Sequence, residues 1–253
     1  EVLFNDDGSV KGVATGDMGV SREMEAKDSW EAGMELHAKF TLFSEGTRGS
    51  LSKFLIDNFN LSEGKDFQKY AIGLKEVWEI KEENFSEGLV EHSMGWPLSD
   101  GTNGGSFLYH FDKNLVSIGY VIHLNYTNPY ASPFDEFQQF KTHPSVKKTL
   151  IGGKRLSYGA RAITTGGYQS VPKLNFPGGA LIGCSAGFLN YPKIKGTHNA
   201  MESGMLAAEA IIEKKLSEDE NNDLENYQLK YEKSRIFKEL KKVRNVKPYQ
   251  SKY

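Results

Sequence analysis

The sequence predicts an α/β protein, and four stretches carry that expectation. Met34, Leu36, Ala38, Phe40 and Leu42 alternate with Glu35, His37, Lys39 and Thr41, the period-two pattern of a strand with one buried face. "SLSKFLIDNF" then places apolar residues at helical spacing from Ser50. Between about 70 and 125, aromatic and β-branched runs such as "YAIGLKEVWEI" and "VEHSMGWPL" are divided by turn sequences at "SDGTNGG" and "DKN", which predicts an antiparallel sheet. Finally, the short apolar strand "GGALIGC" runs through a glycine-rich loop into a helix that starts after Gly196.

The remaining elements follow in order. "EVLFNDDGSVKGVAT" has two apolar runs around Asn5-Asp6-Asp7-Gly8, whose residues tolerate positive φ, so it reads as a hairpin. "SPFDEFQQFKTHP" combines Ser132 as N-cap, Pro133 at the first helical position and Pro144 soon after the end, a well-marked helix. "KRLSYGARAI" and "GGYQSVPKLNF" have strand character. In the helix after Gly196, Ala200, Gly204, Ala207 and Ala208 are small enough to let its backbone approach a sheet. "SEDENND" reads as a solvated linker, and Leu224, Tyr227, Tyr231, Ile236, Leu240 and Val243 fit helices packed on the body.

Composition narrows the function. With 253 residues, 38% of them hydrophobic, the chain can bury one large core or two smaller ones. A formal net charge of -2 supplies no overall basic field for nucleic acid. No apolar run reaches the length of a membrane-spanning helix, and the chain opens without a signal sequence or an initiator methionine, so it reads as the interior of a longer one. A single cysteine cannot make an internal disulfide or hold an iron–sulfur cluster, so no metal site is expected.

"GCSAGFLNYPKIKGTHNAMESGMLAAEA" contains both that cysteine and a Gly-x-Ser-x-Gly pattern. A hydrolase elbow would need an acid and then a histidine after Ser185. His198 is the only later histidine and no Asp or Glu lies between Ser185 and it, so that order fails. Cys184 reads as a packed residue, Lys193, Lys195 and His198 being cationic neighbours by sequence proximity alone. A strand, a glycine-rich loop and a helix N-terminus bearing unpaired N–H groups suit an anionic group, such as the N1–C2 edge of a reduced flavin near Gly196, Thr197 and His198. The same glycines could equally do no more than shape a turn.

Taken together, "GGALIGCSAGFLNYPKIKGTHNAMESGMLAAEA", "GWPLSDGTNGGSFLYH", "NPYASPFDEFQQFKTHPS" and "GGKRLSYGARA" resemble the electron transfer flavoprotein–ubiquinone oxidoreductase family, from the region of Glu45 to "VRNVKP". The resemblance implies an α/β fold with a discontinuous FAD-binding domain and an inserted antiparallel-sheet ubiquinone-binding domain. It places part of the FAD domain at 1–69, the ubiquinone-binding domain at 70–176, the return to the FAD domain at 177–218 and a helical segment at 219–253. It implies FAD held by Glu45, Gly46, Gly183, Cys184, Gly187, Gly196, Thr197 and His198, with no residue in covalent or acid–base catalysis.

The family has cysteine at the Cys184 position, where related flavoproteins usually have aspartate. Gly104 and Gly105 take the places of quinone-binding glycines, a hairpin turn being the alternative, and Asn103 stands where the family pattern has tyrosine. Electron transfer flavoprotein, ubiquinone and a membrane surface are the implied partners, at the mitochondrial inner membrane (matrix face) or a bacterial cytoplasmic membrane. A 4Fe–4S cluster is implied too, its ligands lying outside this chain. A monooxygenase or prenyl reductase of the same superfamily, or a fragment without flavin, are the alternatives. The chain has no Gly-x-Gly-x-x-Gly turn for the FAD pyrophosphate, so on its own it is expected to bind FAD poorly.

Overall fold

A computed structural model describes residues 1–99, 101–217 and 221–250. The chain divides into two compact units, one of Glu1–Gln68 with Gly166–Arg244, the other of Lys69–Thr165 with the residues from Asn245 on.

In the first unit the opening hairpin pairs Val2–Phe4 with Val10–Ala14, and Gly8 adopts the positive φ its turn requires. The long strand expected over 34–42 is two short ones in different sheets. Glu35–His37 pairs with Val10–Ala14, whereas Thr41–Phe43 runs parallel to Gly179–Leu181. The alternation misled because Met34 and Leu36 are exposed and cover no core. A further pair, Met18–Val20 with Ala26–Glu31, gave no sequence signal: its residues are mostly exposed and polar.

Helix Ser50–Asn58 stands where expected. "GGYQSVPKLNF" is mostly irregular, with one 3-10 turn at Tyr168–Ser170 and strand only at Asn175–Phe176. Its apolar residues Val171, Leu174 and Phe176 are buried in the core, which explains the strand-like composition, while Pro172 offers no N–H to a ladder. Helix Thr197–Leu216 buries Asn199, Ser203, Ala207 and Ala210. The expected stripe is therefore displaced, since Ala208 is exposed and Gly204 faces open space. Helices Glu225–Lys233 and Arg235–Lys242 close this core with Leu224, Tyr227, Ile236 and Leu240. Of the expected linker, Glu218–Glu220 lie outside the described residues.

The second unit is a five-stranded antiparallel sheet in the order Lys154–Thr164, Tyr70–Glu79, Leu115–His123, Gly104–Phe111, Val90–Met94. Alternate residues Val116, Ile118, Tyr120 and Ile122 of its central strand enter one core with Phe137, Phe140, Val146 and Leu150 of helices Pro133–Lys141 and Pro144–Leu150. Ser132 caps the first of these helices, its Oγ accepting from the Asp135 N–H. An ion cluster ties that helix to the sheet: the Glu76 carboxylate, almost fully buried, accepts from Lys141 at 2.8 and 3.0 Å, from Trp78 Nε1 at 2.8 Å and from Arg155 at 3.3 Å.

Candidate functional site

The parallel pair Thr41–Phe43 and Gly179–Leu181 delivers two loops to the same end of its sheet. Ile182 N–H donates to Phe43 O at 3.1 Å, and one turn later Ser185 Oγ donates to Gly46 O at 3.2 Å. The sequence-distant "SEGTRG" and "IGCSAG" are thus side by side. Gly46, at φ +87°, has open space where a Cβ would point. Gly183, at φ +60°, donates its N–H to Ser203 Oγ and would bring a Cβ to 3.3 Å from Ala200, so the turn presses on helix Thr197–Leu216. Gly187, at φ +82°, would bring a Cβ to 2.5 Å from Gln68 Nε2.

Glu45 works locally. Its carboxylate accepts from Leu51 N at 3.3 Å, from Ser52 N at 2.5 Å and from Ser52 Oγ at 2.7 Å, capping helix Ser50–Asn58. Oε2 takes both Ser52 bonds, whereas Oε1, with Leu51 alone, keeps further acceptor capacity. Cys184 is half-buried, and burial pushes its thiol pKa up, away from the thiolate. Ser185 spends its hydroxyl on a backbone carbonyl, and neither residue has the partners of a nucleophile.

The 20-residue helix Thr197–Leu216 begins at Gly196 with no side-chain cap and no acidic residue in its first turn. Its N-terminal N–H groups and partial positive charge are therefore not neutralised by its own side chains, a feature that fits an electron-rich ring edge. His198 does not face that space alone: its Nε2 lies 3.2 Å from Glu239 Oε1. The same oxygen accepts from Asn190 Nδ2 at 2.6 Å and from Lys193 Nζ at 3.2 Å. Burial works to raise the Glu239 pKa, but hydrogen bonds from Asn190, His198 and Lys193 outweigh it, so the net direction is down. Glu239 and Asn190 escaped the sequence reading because nothing in local pattern joins residues 190, 198 and 239.

In the second unit Gly104 and Gly105 are not in a turn. They open strand Gly104–Phe111, opposite Ile122 and Val121. A Cβ on Gly104 would stand 2.3 Å from Leu98 Cδ1 and 2.4 Å from Val121 O, and one on Gly105 would stand 2.6 Å from Ser93 O. Both glycines thus serve close strand packing. The loop before them includes Asp100, which lies outside the described residues. A pocket of about 240 Å³ lies near them, walled by Ser93, Met94, Trp96, Ser106, Phe140 and His143 among others. In it Ser93 Oγ and Ser106 Oγ share a 2.6 Å hydrogen bond, and the Trp96 and His143 rings are 5.1 Å apart. Among the described residues, no group of His, Cys, Asp and Glu could hold a metal ion.

Residues 70–163 match the family described as ETF-QO, ubiquinone-binding. Over 98% of its length the chain is 53% identical to the mitochondrial electron transfer flavoprotein–ubiquinone oxidoreductase of Homo sapiens. Nearly the whole chain is thus similar to electron transfer flavoprotein–ubiquinone oxidoreductases, and residues 70–163 match their ubiquinone-binding family. The Caenorhabditis elegans relative of the same name is also 53% identical over 98% of the chain. The chain spans about two-fifths of these relatives, 41% of the human protein and 42% of the nematode one. Among solved structures, a geranylgeranyl bacteriochlorophyll reductase-like protein from Thermoplasma acidophilum matches all of the chain and 58% of its own length, with a TM-score of 0.70 at 16% identity. That likeness extends the family's mixed α/β architecture beyond sequence similarity.

Proposed function

We propose that this chain supplies the flavin-side and quinone-side parts of an enzyme that passes electrons from reduced electron transfer flavoprotein, through FAD, to ubiquinone. The observation that carries the reading is the family match itself, which spans both units and includes the ubiquinone-binding family over 70–163. In this reading the first unit belongs to a discontinuous FAD-binding domain, and the sheet of the second is the ubiquinone-binding domain inserted into it.

FAD fits the first unit's residues on two grounds. Gly46 leaves open space beside its loop, and helix Thr197–Leu216 presents an uncapped N-terminus to whatever lies beyond it. Gly46 would allow close approach of backbone to the cofactor, Gly183 and Gly187 would shape the turn beside it, and Glu45 Oε1 has acceptor capacity left for a hydroxyl. Gly196, Thr197 and His198 would direct N–H groups at the electron-rich edge of the ring, with Cys184 packing alongside. Bound there, FAD supplies the redox chemistry. The chain's own work is to hold and polarise, and Glu239 does part of it by fixing His198 and the Asn190–Lys195 loop.

Gly104 and Gly105 are the proposed quinone contacts, on the strength of the ubiquinone-binding family match over 70–163. A 4Fe–4S cluster belongs to the same reading, with thiolates that this single-cysteine chain does not provide. No helix among the described residues is long and apolar enough to cross a membrane. The relatives are named mitochondrial, and the proposed location is the matrix face of the inner membrane, or the cytoplasmic membrane of a bacterium. The test is a spectrum of the native full-length protein. Stoichiometric FAD bleached by reduced electron transfer flavoprotein is the expected result, and a protein without flavin absorbance would sink the reading.

A further inference from the structure

Beside the quinone-side glycines lies a second cavity, which neither the sequence motifs nor the family resemblance assigns. Its volume is about 10 Å³, and its walls include Leu98, Thr102, Ile122, Asn128, Pro133 and Glu136. Two of these walls are shared with Gly104: Ile122 is its cross-strand partner, and Leu98 occupies the place a Gly104 side chain would need. A space of this size is about one water molecule, and Thr102, Asn128 and Glu136 supply the polar partners a water requires.

Glu136 is the unusual wall. Helix Pro133–Lys141 points Phe137 and Phe140 into the core, and Glu136 sits beside them in the first turn. Its Oε2 is buried and finds no hydrogen-bond partner among the described residues. Burial raises its carboxyl pKa above the ordinary value, and the neighbouring Asp135 adds to the rise. The other titratable group facing it is Tyr120, on the central strand. Tyr120 spends its proton on Gly95 O at 2.9 Å, and burial holds its phenol neutral. Glu136 thus combines an unsatisfied buried oxygen with a one-water space whose walls Leu98 and Ile122 also pack against Gly104.

We infer that Glu136 delivers a proton to quinone held at Gly104 and Gly105, relayed by a water in this cavity; the inference rests on the quinone-site reading above. Reduction of a quinone to a quinol takes two electrons, here from the reduced flavin, and two protons. The Glu136 O–H bond breaks and a new O–H bond forms on one quinone oxygen, while the other oxygen takes its proton from solvent. The carboxylate left behind has a buried oxygen without a protein partner, so it regains a proton from solvent before the next turnover.

The test uses the native full-length flavoprotein with decylubiquinone as acceptor and with ferricenium, a one-electron acceptor that takes up no proton. Glu136→Gln is expected to slow quinone-dependent flavin reoxidation about 100-fold, with ferricenium reoxidation, FAD content and the quinone KM unchanged. Glu136→Asp is expected to recover part of the rate. In the wild type the quinone rate falls as pH rises through the Glu136 pKa and carries a solvent deuterium isotope effect. Glu136→Gln lacks that pH limb.

If Glu136→Gln keeps the wild-type quinone rate and pH profile, Glu136 is not the donor, although the quinone reading stands. Equal losses with ferricenium, or a raised KM at constant kcat, would assign Glu136 a structural or binding role and overturn the inference. A wild type that is not reoxidised by decylubiquinone would overturn both. Should the Gln variant fail to fold, a wild-type rate flat with pH and without an isotope effect overturns the inference by itself.

Discussion

Replacing Glu239 by alanine removes the acceptor shared by Asn190, Lys193 and His198, and the structure sets the size of the effect. Asn190 is fully buried, and losing its 2.6 Å partner strands a donor at a cost of about 1–3 kcal/mol. The Lys193 side chain is 58% exposed and that of His198 is 33% exposed, so their pairs with Glu239 add about 0–1 kcal/mol. A loss of about 2 kcal/mol, at a urea m-value of about 2 kcal/mol per molar, lowers the unfolding midpoint by about 1 M. Glu239→Gln keeps a carbonyl for Asn190 and is expected to lose less than about 1 kcal/mol.

Equilibrium urea unfolding at neutral pH, followed by tryptophan fluorescence, is the assay. Equal midpoints for Glu239→Ala and the wild type would refute the reasoning by showing that the Asn190 donor is satisfied another way. The pH dependence has a definite sign. Because the folded Glu239 pKa lies below its ordinary 4.5, its contribution is present above that value and is lost as pH falls through the folded pKa.

Three further outcomes follow from the same geometry. Gly105→Ala sets a Cβ against Ser93 O and should destabilise the second unit by about 1–3 kcal/mol. An alanine protein of wild-type stability by urea unfolding would show that strand Val90–Met94 gives way freely. Glu76→Ala leaves the Lys141 ammonium, 13% exposed, without its carboxylate and should cost about 3–5 kcal/mol in the same measurement; a cost under about 1 kcal/mol would mean that Lys141 swings to solvent. Cys184 should react slowly with iodoacetamide in the folded protein and rapidly in urea, because burial disfavours its thiolate, and rapid stoichiometric alkylation of folded protein would contradict that.

Where burial follows local pattern, the sequence was a good guide. The antiparallel sheet from Tyr70 to His123, the capped helix at Pro133 and the helices around Tyr227 and Leu240 all stand where apolar periodicity and cap residues put them. The guide failed where pattern and burial part: Met34 and Leu36 alternate yet face solvent, and the apolar residues of "GGYQSVPKLNF" are buried as irregular chain. The meeting of Gly46 with Ser185 follows from the parallel pairing of Thr41–Phe43 with Gly179–Leu181, a long-range event that came into the sequence reading through family resemblance. Glu239 and Glu136 were invisible for a related reason. Each is a charged residue on an amphipathic helix, and only the fold brings one to Asn190 and His198 and turns the other toward a cavity beside Gly104.

The most direct test of the central claim is rapid mixing of the native full-length protein, reduced by electron transfer flavoprotein, with a short-tailed ubiquinone. The account predicts that the flavin is reoxidised with one quinone reduced to quinol per two electrons, and that this occurs without any nicotinamide nucleotide. A flavin that stays reduced in the presence of quinone would contradict it.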